Sequence, residues 1–504
     1  MPVVAQTHLA DKLDSKTERN RHTVRVACRL SVLFDDLAGM FDGVNRPWEV
    51  PLIRPQDVKR KLARHLLTEG LDIVFDLDRS QGSWFVDQRT ADRYLDFFSM
   101  FASMAIGYNH PRLLQERDRL GRLAVNKPSN SDVYTAAMAE FVDIFSRIAM
   151  PPDMPHMFLI DGGALAVENA LKAAFDWKVR KNLMAGRGDN IGSQVIHFRQ
   201  AFHGRSGYTL SLTNTFDPRK TRFFPKFDWP RIVNPKLSFP LDADTLKRVC
   251  DLEREALETI GRVIDGEGED IAALIIEPIQ GEGGDNHFRA EFLQALRQLC
   301  DRHDIMLIFD EVQTGVGLTG RFWAFEHFGV RPDLLAFGKK TQVCGMLASR
   351  RIEEVSCHVF QERSRINSTF GGNLVDMVRC THILQIIEQE KLVENAGEQG
   401  ALLLSELRKL AVDFPDIVSN PRGMGLMCAF DAADSHMRDQ LVQAFFQEKL
   451  LLIGCGARSI RFRPHLIVSA GEIRLAMDMI RTVLRKGDFR HLQITRDPCL
   501  WSGT

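Results

Sequence analysis

Between residues 106 and 370 the hydrophobic positions come in short blocks. The runs at 157–160 ("MFLI"), 193–198 ("SQVIHF"), 271–277 ("IAALIIE"), 305–309 ("IMLIF") and 333–337 ("DLLAF") are mostly apolar and do not alternate. That is the pattern of parallel strands covered on both faces. Between several of these blocks the period changes to that of a helix. "ALAVENALKAAFDWKVRKN" spaces Ala164, Val167, Leu171, Ala174 and Phe175 along one helical face, and "AEFLQALRQLCDRHD" does the same. Strands and helices in alternation predict an α/β layer fold with a mostly parallel central sheet. Upstream, "DIVFDLDRSQGSWFVDQRTADRYLDFFS" breaks short β-rich runs with polar turns, as a meander does. After residue 371, helices are interspersed with "RGMGLMCAF" and "SIRFRP", two predicted strands of a smaller α+β unit. The expected division is an extension at 1–50, an N-terminal segment of the small domain at 51–105, a large domain at 106–370, the C-terminal small domain at 371–490 and a tail at 491–504.

Composition narrows the function classes. With 44% hydrophobic and 26% charged residues over 504 positions, the chain is of ordinary globular type. A formal net charge of -1 gives no basic field for nucleic acid or an anionic membrane. No apolar run approaches the ~18 residues of a membrane span, and the N-terminus lacks the apolar core of a signal peptide. The nine cysteines are odd in number and form no C-x-x-C pair, which suits reduced thiols in a cytoplasmic protein and provides no zinc site. No metal, nucleic acid or membrane partner is expected.

In α/β sheets ligands gather beyond the carboxyl ends of the strands, so the residues following each run are the candidates. After "MFLI" come Asp161, Gly162, Gly163 and Ala164, then a helix. A glycine turn at a helix start offers free N–H groups and a partial positive charge, a seat for phosphate. After "SQVIHF" stand Phe202, His203 and Arg205: an aromatic that can cover a flat ring and a guanidinium that can pair with a carboxylate. Glu282 lies among glycines after "IAALIIE". Taken singly, the glycine turn after "MFLI" fits either reading equally, and the other two stretches read as ordinary loops. Asp310 ends a buried strand, where a carboxylate needs a cation or donors. The apolar run followed by Asp-Glu resembles the magnesium-binding strand of a P-loop nucleotidase, but the chain has no G-x-x-x-x-G-K-[ST] partner motif. Gly315, Gly317 and Gly320 match G-x-G-x-x-G, yet five residues separate them from the strand, so a dinucleotide fold is rejected. Lys339 and Lys340 directly follow "DLLAFG", an unlikely place for two solvated lysines. A phosphate seat, an aromatic lid, a strand-end acid and a strand-end lysine together match what pyridoxal 5'-phosphate requires.

The block "LIFDEVQTGVGLTGRFWAFEHFGVRPDLLAFGKK" resembles the signature of the class III pyridoxal-phosphate aminotransferases, and "IIEPIQGEGGD" and "STFGGN" resemble other blocks of that family. "DGGALAVENALKAAFDWK", "FHGRSGYTLSLTNT", "FGKKTQVCG" and "SIRFRP" are similar to its lysine ε-aminotransferase branch. The resemblance runs from about Pro55 to about Lys486. It implies the fold type I architecture of pyridoxal-phosphate transferases and a homodimer with shared sites. It implies that Lys339 carries the Schiff base, Asp310 pairs with the pyridine nitrogen, Gln313 bonds the ring hydroxyl and Phe202 stacks on the ring. Gly163 and Ala164 would donate to the phosphate, and Thr369 would reach the phosphate of the neighbouring subunit. Lys340 would tune the local field or be a plain surface residue. For substrates the resemblance implies L-lysine as donor and 2-oxoglutarate as acceptor, giving L-2-aminoadipate 6-semialdehyde, which cyclises, and L-glutamate. Arg461 would bind the α-carboxylate of the acceptor, Glu282 would mask Arg461 when lysine binds, and Arg205 would hold the far carboxylate. Many class III enzymes carry an acid where Leu165 stands, so an apolar residue there favours the lysine branch. Two alternatives stay open: another ω-amine donor, ornithine or 4-aminobutyrate, and a non-catalytic scaffold with the same fold.

Overall fold

The computed structural model describes residues 52–487. The calls on 1–50 and on the tail therefore lie outside the described residues, the last tail residues included. The chain divides into two compact units, Met1–Leu71 and Asp72–Thr504. The described part of the first holds a turn of 3-10 helix, Pro55–Asp57, and a short helix, Val58–Leu62; Asp57 ion-pairs with Arg54 and Arg60.

The second unit contains fourteen described strands. In chain order they are β1 (Trp84–Val86), β2 (Arg93–Asp96), β3 (His156–Ile160), β4 (Gln194–Phe198), β5 (Arg231–Ile232), β6 (Ile271–Ile276), β7 (Met306–Asp310), β8 (Leu334–Phe337), β9 (Cys344–Ala348), β10 (Ser419–Met424), β11 (Met427–Asp431), β12 (Leu450–Leu451), β13 (Ile453–Cys455) and β14 (Ser459–Phe462). The large sheet has the order β3-β9-β8-β7-β6-β4-β5. Every neighbouring pair in it is parallel except the two pairs made by β9, which runs antiparallel to both β3 and β8. All five apolar blocks of the sequence are strands of this sheet. β9 and β5 are the ones the pattern did not announce: "CGMLA" is short and follows closely on the lysine pair, and β5 has only two residues.

Burial explains why these blocks do not alternate. β6, β7, β8 and β9 are buried at every position. The helix Gly163–Met184 buries Val167, Leu171, Ala174 and Trp177 against the sheet. Each fully buried aliphatic side chain stabilises by roughly 1.5–3 kcal/mol, so the sheet is a stiff platform. A smaller antiparallel sheet, β10-β11-β14-β13, is covered by the helices Leu392–Asp413 and Ser435–Gln447, and the helix Ala470–Lys486 packs on both of them. "RGMGLMCAF" proves to be a hairpin, with β10 turning into β11 at Gly425. The upstream meander supplies β1 and β2, and β12 joins β2 in parallel, so residues near 95 and 450 share a third sheet. Among the described residues no helix is long and apolar enough to cross a membrane.

Candidate active site

The loops after β3, β4, β6, β7 and β8 converge beyond one end of the large sheet, and glycines allow the close approaches. Gly204 has φ 124°, and a Cβ there would lie 2.5 Å from the Ala164 Cβ, so the loop after β4 rests on the helix start after β3. A Cβ at Gly281 would lie 2.5 Å from the Gln313 side chain, which seats the loop after β6 on the loop after β7. Gly163 opens the helix of 22 residues, and a Cβ there would meet Val312 at 2.8 Å. These contacts bring Gly163, Ala164, Phe202, Asp310 and Gln313 into one neighbourhood.

Asp310 is buried, and each of its carboxylate oxygens has one partner. His203 Nδ1 lies 2.8 Å from Oδ2, and the Val312 N–H donates to Oδ1 at 3.1 Å. A carboxylate has about four acceptor positions, so room remains for a further N–H. Beneath it lies Glu277, fully buried, whose two oxygens accept from the Phe202 and Gly281 N–H groups at 2.9 Å each. Burial pushes the Glu277 carboxyl up to about 7; His203 opposes this and the Asp310 charge adds to it. Neither His203 nor Glu277 received a role from the sequence. The signal was present, an acid ending the buried "IAALIIE" block and a histidine in the loop after "SQVIHF", but their convergence on Asp310 exists only in three dimensions.

Lys339 is half-buried and starts a 3-10 turn, with φ 53°. A non-glycine residue in this left-handed region is strained by roughly 1–2 kcal/mol, and the flanking strands β8 and β9 hold it there. Its Nζ donates to the Phe101 carbonyl at 3.1 Å. Burial, then Arg461 and Arg463, bring its amine down to about 8, against the pull of Asp310 and Glu282. Lys340 is not a surface residue. It is buried, donates to the Gln313 carbonyl at 2.7 Å, and is held well below the ordinary lysine range by burial and by Lys339 beside it. Of the two readings left open for Lys340, the field-setting neighbour is the one compatible with this burial. The Phe101 carbonyl belongs to a run of four left-handed residues, Ser99 to Ala102, anchored by Asp96, whose Oδ1 accepts from the Phe98 and Ser99 N–H groups at 2.7 and 2.9 Å.

The two arginines of "SIRFRP" have different situations. Arg463 is closed off: it makes a bidentate pair with buried Asp285 and donates Nε to Gln313 Oε1 at 3.1 Å. Arg461 has one carboxylate, Glu282 Oε2 at 2.9 Å from Nη2, and its buried Nε has no partner. Burial raises the Glu282 carboxyl, and Arg461 and Lys220 more than reverse it, so it lies below the usual glutamate value. Lys220, unremarked in the sequence, donates from Nζ to Glu282 Oε1 and lies 5.9 Å from the centroid of the half-buried Phe202 ring. Arg205 is exposed, and Leu165 is 41% exposed. Thr369 is also exposed, on a loop tied to Ser129, Asn130 and Ser131 through its backbone carbonyls. Arg205 and Thr369 are thus exposed and not part of the buried cluster. Among the described residues no cluster of side chains could hold a metal ion.

The donor set fits pyridoxal phosphate: an amine of lowered basicity at Lys339, a buried carboxylate with acceptor capacity left at Asp310, and a glycine-lined helix start. This fold and site define a pyridoxal-phosphate transferase of fold type I. The chain belongs to the class-III aminotransferases, whose family model matches residues 68–484. It is 53% identical over 433 residues to the L-lysine-epsilon aminotransferase of Mycobacterium tuberculosis, covering 85% of this chain and 96% of that one. The L-lysine-epsilon aminotransferase of Amycolatopsis lactamdurans is 50% identical, with 85% and 96% covered. The solved lysine aminotransferase from M. tuberculosis in its internal aldimine form superposes with a TM-score of 0.84 at 52% identity, over 86% of this chain and 100% of that one. Human mitochondrial 4-aminobutyrate aminotransferase is 30% identical, with 94% and 95% covered.

Proposed function

We propose that this chain transfers the ε-amino group of L-lysine to 2-oxoglutarate, producing L-2-aminoadipate 6-semialdehyde, which cyclises, and L-glutamate. The observation that carries this reading is the Glu282–Arg461 pair in a site built around Lys339, in a chain so similar to curated lysine aminotransferases. Bound pyridoxal phosphate supplies the electron sink that lets the hydrogen beside the transferred nitrogen leave as a proton.

The chain's own residues do the rest. Asp310, hydrogen-bonded to His203, would hold the ring nitrogen, and Phe202 would cover the ring face. The N–H groups of Gly163 and Ala164 would hold the phosphate at the helix start, and Gln313 would hydrogen-bond the ring hydroxyl. Lys339 Nζ is the nucleophile when the cofactor is loaded. Once free, its amine would carry the proton from the reacting carbon to the cofactor. Its lowered basicity suits both roles.

Lysine enters ε-amine first, so only methylenes lie next to the reacting carbon. An unmasked Arg461 there would be a buried charge without a partner, and Glu282 prevents that. When the acceptor binds, its α-carboxylate replaces Glu282 on Arg461. Arg205 takes the far carboxylate of either substrate. One pocket thereby accepts two geometries through one movable acid.

The same reading includes a cytoplasmic homodimer in which the exposed Thr369 loop completes the partner's phosphate site. It also includes a division into a large domain, 106–370, and a small domain, 371–490, supported by their separate sheets. The test is formation of glutamate from 2-oxoglutarate with lysine, ornithine and 4-aminobutyrate compared as donors. Lysine is expected to be the best donor. A preference for either of the others would overturn the donor assignment.

A further inference from the structure

Glu282 has a second cation that a two-partner exchange does not require. Each carboxylate oxygen has its own: Oε2 faces Arg461 Nη2 at 2.9 Å, and Oε1 faces Lys220 Nζ. Lys220 does not come from a strand end. It closes the single 3-10 turn Pro218–Lys220, in the connection between β4 and β5, and Asp217 caps that turn by accepting from the Arg219 N–H at 3.0 Å. The Glu282 and Lys220 side chains are only 22% and 26% exposed.

Consider what happens when Arg461 turns to an incoming α-carboxylate. With Arg461 as its sole partner, Glu282 would become a mostly buried carboxylate without a counter-charge, and that state would be strongly disfavoured. Because Oε1 is already on Lys220, the carboxylate can rotate off Arg461 and remain paired. We propose that Lys220 is a positioning residue that retains Glu282 when Arg461 engages the acceptor, and so sets the balance between the lysine-binding and dicarboxylate-binding arrangements. The inference rests on the exchange described under the proposed function. Its consequence is asymmetric. Without Lys220, the masked arrangement keeps one ion pair at Glu282, whereas the open arrangement keeps none. Losing the last partner is worse than losing one of two, so the balance shifts toward masking. Dicarboxylates then bind more weakly while lysine is handled nearly as before.

The experiment compares wild-type holoenzyme with Lys220→Met and Lys220→Arg. Binding of glutarate, an unreactive dicarboxylate with the carbon spacing of 2-oxoglutarate, is measured by calorimetry. The lysine and glutamate half-reactions are followed separately by single-turnover absorbance. Lys220→Met is expected to weaken glutarate at least tenfold and to raise the KM of the glutamate half-reaction by a similar factor. The lysine half-reaction should change less than threefold, and Lys220→Arg should restore glutarate to within threefold of wild type. Equal losses in both half-reactions, or unchanged glutarate binding, would overturn the inference. If wild-type enzyme reacts with glutamate but not lysine, the donor assignment fails, and the glutarate comparison still decides the role of Lys220. Should Lys220→Met fold poorly, Lys220→Gln makes the same comparison.

Discussion

Asp310 ends β7 and Glu282 lies in the loop after the neighbouring strand β6, and their partners are of opposite kinds. Asp310 is held by a buried imidazole and by a backbone N–H two residues on, neither of which can leave without disturbing the loops themselves. Glu282 is held by the tips of two long side chains, Arg461 and Lys220, which reach it from the small antiparallel sheet and from a surface turn. The first carboxylate is a fixed charge; the second is an exchangeable one. A transaminase with two unlike substrates needs both. The electronics of the cofactor must stay constant between half-reactions, while carboxylate recognition must change.

That contrast can be broken at four points, in descending order of effect. Lys339→Ala should abolish transamination, and Lys340→Ala should keep the ability to bind the cofactor covalently. Borohydride trapping and peptide mapping would place the label, and a label on Lys340 would refute the assignment. Asp310→Asn keeps the shape of the fixed side but removes its charge, so kcat should fall by several powers of ten. Near-normal turnover would take Asp310 out of the site's electronics. Glu282→Ala leaves Arg461 permanently open and should lower kcat/KM for lysine by more than about tenfold, less than a fully buried charge would give because the site admits water. The glutamate half-reaction should suffer much less, and equal losses would make Glu282 merely structural. The smallest effect concerns pH. In the proposed reaction the neutral amine of Lys339 is the nucleophile, and burial with Arg461 and Arg463 brings its pKa down to about 8. Capture of pyridoxal phosphate by the apoprotein should therefore accelerate as pH rises through 8 and level off above it, roughly tenfold per unit on the acid side. A profile that keeps rising toward the ordinary lysine value would contradict the lowered basicity.

The blocks that became β3, β4, β6, β7 and β8 were legible because strands buried on both faces must be apolar throughout, and the sequence records that directly. The residue following each block was legible as a candidate for the same reason, since strand ends are where this architecture places ligands. What the sequence did not disclose are partners that meet through space. Lys220 lies in "FDPRKTRFF", where one basic residue among several looks like a solvated surface. Its contact with Glu282 depends on how a one-turn helix is capped. Glu277 looked like the polar end of a strand until its oxygens were found on the N–H groups of two loops. The place of the lysine pair after an apolar strand already argued against two solvated lysines, but the contact that keeps Lys340 inside, its Nζ donating to the Gln313 carbonyl, exists only in the fold.

β9 has a bearing on how this molecule comes apart. The chain leaves β8 at Phe337, turns through the lysine pair and returns at once as the adjacent strand, which is itself flanked by β3. The reactive turn is therefore stapled to two interior strands, whereas the two-residue β5 forms the far edge. Local opening should begin at such edges, and the amides of β8 and β9 should exchange with deuterium only on global unfolding. On gradual heating, the Lys339 turn is then among the last parts of the protein to lose its shape, so inactivation and whole-domain unfolding should share one midpoint.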